Sequence, residues 1–198
     1  MNDTIEKTNT EEIIKGYFGD LLAFMKGQLV AANSDGSVPQ GEASTILARI
    51  RVLLRNCVDE LEHYGEKRFE GGNLSAKVKE TVAKATGWAI GSAEHIGSHR
   101  DCQVFRDQYL LLNSTSTGCA MLYTIEFAAN GDSELAGILL RHLREWNTLI
   151  LDANRILPEV VLGEMNREED GFGQEQAATI SRALQDTWKE SRERSSVA

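Results

Sequence analysis

The stretch SELAGILLRHLREWNTLILDANRILP, residues 133–158, places Leu135, Leu139, Leu143, Trp146, Ile150, Ala153 and Leu157 at steps of three and four. Such steps return to one face of an α-helix and do not fit the two-residue repeat of a strand. Ser133 is positioned to cap this helix and Pro158 to end it, because proline lacks the N–H and crowds the preceding turn. A helix this long with a single apolar stripe must bury that stripe against other helices.

The same pattern continues on both sides. Upstream, Asn130-Gly131 separates it from a helix over about Asp101 to Ala129, with Val104, Phe105, Tyr109, Leu112, Leu122, Ile125 and Phe127 as its apolar residues. The middle of that helix, Asn113-Ser-Thr-Ser-Thr-Gly118, is polar through more than a full turn. Some hydroxyl must therefore face the interior. Further upstream, Thr8 and Glu11 have capping-box spacing for a helix from about Glu11 to Asn33, with the stripe Ile14, Tyr17, Phe18, Leu21, Met25 and Leu29. A second helix is expected over about Glu42 to Phe69, with Ile46, Ile50, Leu53, Cys57, Leu61 and Tyr64 on one face. Gly71-Gly72-Asn73 then leads to a third, capped by Ser75 and striped by Val78, Val82, Ala85, Trp88, Ala89, Ala93 and Ile96. In it, Gly87 and Gly91 beside Trp88 and Ile90 offer a flat face for a second copy, so a homodimer is expected. Downstream, Glu164 to Gln174 reads as a linker. An amphipathic helix follows at Gln176 to Arg192, with Ala177, Ile180, Leu184 and Trp188 on one side, able to fold back on the bundle or to meet a protein partner. The division is a helical bundle over residues 1–162 and a linker, helix and polar tail over 163–198.

Composition narrows the functions. The chain has 198 residues, only two prolines and a formal charge of -9. A field of that sign repels phosphate backbones and anionic headgroups, so neither nucleic acid nor a membrane is expected as a partner. Met1 to Thr10 lacks the charged and apolar regions of a secretory signal, and no apolar run nears the roughly 20 residues that span a bilayer. Cys57, Cys102 and Cys119 form no CxxC pair and suit buried, reduced thiols. A cytoplasmic location is the expectation.

Two long helices, a shorter crossover and two more long helices form the layout of ferritin-like bundles. Arg100-Asp101, Ala129-Asn-Gly131-Asp and Leu139-Leu-Arg-His-Leu-Arg-Glu145 resemble the second half of the YciE/YciF-type branch of that superfamily. Gly19-Asp20, Lys26-x-Gln28-Leu29 and Val58-Asp-Glu-Leu61 are similar to its first two helices. The resemblance, over about residues 11 to 157, implies an antiparallel four-helix bundle with a crossover helix, here extended by a C-terminal helix.

That family's di-metal site needs carboxylates and imidazoles converging in the core. On the family pattern the ligand positions of this chain fall at Met25, near Ile50 and Val52 or Leu53, near Asn113 and Ser116, and at Glu145, with Trp146 as its neighbour. Almost none of these can bind a hard cation. The resemblance with these departures implies a non-catalytic binding or structural protein, of a stress-related kind, with no metal and no cofactor. The candidate ligand pocket is Asn113, Thr115, Ser116, Glu145 and Trp146, where small polar side chains could line a cavity left by the lost site, with Asn113 or Ser116 as partner to an inward-facing Glu145. The competing reading is a metal-dependent oxidase or iron-handling protein that uses Asp20, Glu60, His63, Glu126 and Glu145.

Other motifs are weaker. Glu60 and His63 have Glu-x-x-His spacing but read as a solvated helix end. His95 and His99 lack a third ligand, and Asn166 to Ala177 lacks the closing Glu of a calcium loop. No GxSxG, P-loop or dinucleotide fingerprint occurs.

Overall fold

The computed structural model describes residues 2–34, 41–69, 100–129, 131–165 and 174–195. They form α1 (Asn2–Ser34), α2 (Glu42–Arg68), α3 (Arg100–Ala128), α4 (Ser133–Met165) and α5 (Gln174–Ser195), with no strand among the described residues. The all-α expectation is met. The helix expected over residues 78–96, with Gly87 and Gly91, lies outside the described residues, as do His95 and His99.

Helix α1 packs against α2 and α3, α4 packs against α2 and α3, and α5 lies on α4. Side-chain pairs fix the directions. Cys57 meets Met25 and Arg68 meets Glu11, so α2 runs antiparallel to α1. Gln28 meets Leu111 while Arg68 and Glu126 meet at the other end, so α3 also opposes α1. Arg49 with Asp152 and Glu60 with His142 set α4 against α2, and Tyr109 with Asn154 sets it against α3. The four helices therefore point up, down, down and up; each pair along a side of the square is antiparallel, and the parallel α2 and α3 meet across its diagonal.

Three helix ends differ from expectation. Helix α1 starts at Asn2, so Thr8 lies inside it rather than at a cap. At the start of α4 the cap is Asp132, whose Oδ1 accepts the Glu134 N–H at 2.6 Å, and Ser133 is the first helical residue. At the other end α4 passes through Pro158 and continues to Met165. Tertiary contacts sustain those last turns. Pro158 and Leu162 are buried, the Val160 carbonyl accepts the Cys102 thiol at 3.5 Å, and Glu164 Oε2 accepts the Cys102 backbone N–H at 2.7 Å. Glu164, expected to open a linker, instead satisfies an otherwise orphaned N–H at the start of α3. The boundary drawn at residue 162 falls inside α4.

The buried seam of α4 is Leu135, Leu139, His142, Trp146, Leu149, Ala153 and Ile156. Its steps alternate four and three, the heptad repeat of supercoiled helices. Leu143, Ile150 and Leu157 flank this seam and are half-buried. Similar one-residue rotations leave Tyr17 and Phe127 exposed while their neighbours Phe18 and Glu126 are inside.

Candidate functional site

Each helix of the square sends one side chain to a common point inside the bundle: Met25 from α1, Cys57 from α2, Cys119 from α3 and Trp146 from α4. The first three are 0% exposed and Trp146 is 1% exposed. The Cys57 thiol donates to the Met25 sulfur at 3.8 Å, and Cys119 is its neighbour from α3. Beside Cys119, α1 and α3 approach closely at Gly118, where a Cβ would stand 2.8 Å from Leu21 Cδ1 and displace the tip of that side chain. The neighbouring Cys119 side chain, burial and the nearby Glu60 carboxylate push the Cys57 thiol pKa far up, against a smaller opposite pull from the Trp146 indole. The protonated thiol is the resting form. Trp146 Nε1 has no hydrogen-bond partner of normal geometry, and the Cys57 sulfur is the group it faces.

One turn away, His142 Nε2 lies 2.7 Å from Glu60 Oε2, and Arg141 pairs with Glu60 Oε1. Burial works to raise the Glu60 pKa, but the bonds and charges of Arg141 and His142 outweigh it and lower the value. His142 Nε2 is thus held by Glu60, while its buried Nδ1 has no hydrogen-bond partner. Glu60 therefore reaches across to α4, while His63 is exposed.

The five residues expected to share a pocket face different neighbours. Thr115 Oγ1 donates to Gln28 Oε1 at 2.8 Å, and Gln28 Nε2 donates to the Leu111 carbonyl at 3.2 Å, a buried polar relay between α1 and α3. Ser116 Oγ bonds Asn147 Oδ1 at 3.1 Å. Asn113 bonds back to the Tyr109 carbonyl, as Ser114 and Thr117 do to Leu110 and Asn113. Glu145 is exposed beside a groove of about 590 Å³ between α2 and α4, lined also by Arg49, Val52, Asn56 and Arg144. Only Trp146 reaches the bundle centre. Because successive helical residues turn by about 100°, a polar run longer than one turn is distributed around the helix. An inward Glu145 paired with Asn113 or Ser116 is thus replaced by an outward Glu145 and a Ser116–Asn147 pair.

The residues of the competing reading are also dispersed. Asp20 and His63 are exposed, Glu60 is tied to α4, and the side chain of Glu126 is enclosed by Arg68 and the Asp132 N–H. Among the described residues, no group of three or more His, Cys, Asp or Glu is placed to hold a metal ion. No described helix is long and apolar enough to cross a membrane.

The sulfur centre was partly visible beforehand, since Met25 and Cys57 lie on predicted stripes. Cys119, just beyond the polar run, and His142, one place off the leucine stripe, carried no such mark. Comparison of the chain with family models, with curated proteins and with solved structures gives no match.

Proposed function

We propose that this protein is a ferritin-like bundle without the enzymatic di-metal chemistry of that architecture, acting in the cytoplasm as a homodimeric binding or structural protein, with a stress-related role. The up, down, down, up order supports the ferritin-like assignment, because that order needs one long crossover between the second and third helices of the square. The observation that carries the functional reading is the occupancy of the bundle centre by Met25, Cys57, Cys119 and Trp146. Two hard divalent cations need several converging carboxylates to neutralise them in a dry interior. A thioether, two thiol side chains and an indole do not supply several carboxylate charges, and the carboxylates of Glu60, Glu126 and Glu145 point to separate surroundings.

Incubation with iron, manganese or zinc followed by elemental analysis tests this reading. The expected result is well below one metal per chain and no ferroxidase turnover. Two tightly held metals per chain would establish the metal-dependent oxidase instead. Light scattering tests the homodimer, and a monomer at tens of micromolar would overturn it.

A further inference from the structure

We propose that Met25, Cys57 and Cys119 form a binding site for one soft monovalent cation of the cuprous type, with the Trp146 indole N–H as the donor that steadies the bound thiolate. The proposal deepens the binding-protein reading by naming a ligand class, and it concerns different cations from those that test that reading.

Geometry comes first. The Met25 and Cys57 sulfurs stand 3.8 Å apart, a separation that one ion at roughly 2.3 Å from each can bridge. The third ligand is Cys119, a fully buried thiol that neighbours Cys57. Thiolate and thioether donors together select soft cations such as Cu(I). Zinc is disfavoured because it seeks four ligands and the fourth side of this site is an indole, whose N–H offers no lone pair.

Charge balance points to a monovalent ion. When M⁺ binds, one thiol loses its proton to solvent and becomes the thiolate ligand, while the second thiol and the thioether remain neutral. The loaded site then has no net charge, which a dry interior tolerates. No electron is transferred. Trp146 supplies the independent observation: its Nε1–H is buried without an acceptor. Such an orphan donor is costly unless a partner arrives, and a metal-bound Cys57 thiolate beside it is a strong acceptor. All three sulfurs are fully buried, so the ion enters through local opening of the helices.

The test is anaerobic titration of the reduced full-length protein with Ag(I) as a stable probe and with Cu(I). The expected result is one ion per chain, one proton released per ion, and an ultraviolet thiolate-to-metal band. The Cys102→Ser variant should match wild type. The double variant Cys57→Ser/Cys119→Ser should lose the site, and Met25→Leu, which conserves core volume, should bind at least tenfold more weakly. Trp146→Phe, which keeps the ring system's apolar character without the N–H, should weaken binding as well. X-ray absorption of the copper-loaded wild type should show a first shell of sulfur alone, a readout that stands even if the double variant fails to fold. No bound ion in reduced wild type, unchanged stoichiometry in the double variant, or nitrogen and oxygen ligands would overturn the proposal. Iron or manganese loading would sink the non-enzymatic reading without altering the silver result, so the two failures are distinguishable.

Discussion

Arg68 Nη1 on α2 stands 2.7 Å from Oε1 of Glu126 on α3, a carboxylate whose side chain has 0% exposure. The same guanidinium bonds the Tyr64 hydroxyl and the Glu11 carboxylate, while Glu126 Oε2 accepts the Asp132 N–H at 2.9 Å. One end of the bundle is thus joined through three helices and the turn into α4 by a single charged network. Gly131 belongs to it, because a Cβ there would fall 2.1 Å from Glu126 Oε2.

Arg68→Met should destabilise the protein by about 3 kcal/mol, since it leaves the buried Glu126 charge without its partner. The double variant Arg68→Met/Glu126→Gln should recover part of that loss. Urea unfolding measures both, and equal stability of the two variants would show that Glu126 finds compensation elsewhere.

Acid should weaken the same region. Burial works to raise the Asp132 pKa, but the Glu134 N–H, the Tyr64 hydroxyl and the Arg68 charge outweigh it and hold it below the ordinary 3.8. Glu60 is likewise held below 4.5. A carboxylate depressed in the folded state contributes its stability above the unfolded pKa and loses it as pH falls through the folded value. Stability from these two groups is therefore complete near pH 6 and declines below about pH 4. Asp132→Asn should flatten this decline in thermal melts taken across the acid range.

The buried relay between Thr115 and Gln28 gives a sharper test of polar packing. Thr115→Val removes the donor and leaves Gln28 Oε1 unpaired, at a cost of about 1–3 kcal/mol. Gln28→Leu/Thr115→Val removes both partners and should cost less than the sum of the single changes. Additive losses in this cycle would show that the two side chains do not act as a unit.

Deleting the chain after Gly173 should lower the melting temperature modestly. Helix α5 lies on α4 through the buried Ala177 and a Ser181 Oγ to Arg155 carbonyl bond of 3.1 Å, but Ile180 and Leu184 are each 42% exposed. The expected loss is about 1–3 kcal/mol, near one buried apolar side chain rather than three. An unchanged melting temperature would mean that α5 contributes nothing to the bundle.

The sequence by itself determined that the chain is helical and where most of the described helices lie. Periodicity carries that information because a helix repeats every 3.6 residues whatever surrounds it. Only the tertiary structure decided which residues meet. The phase of α4 settled on His142, Leu149 and Ile156 instead of Leu143, Ile150 and Leu157, a rotation that hydropathy does not select, since it would favour Leu143 over His142. Pro158 stayed helical because Glu164 and Val160 are held by α3, a contact between residues about 60 positions apart. Met25, Cys57, Cys119 and Trp146 share no sequence pattern, and they converge because each lies at the same height on its own helix once the four are packed.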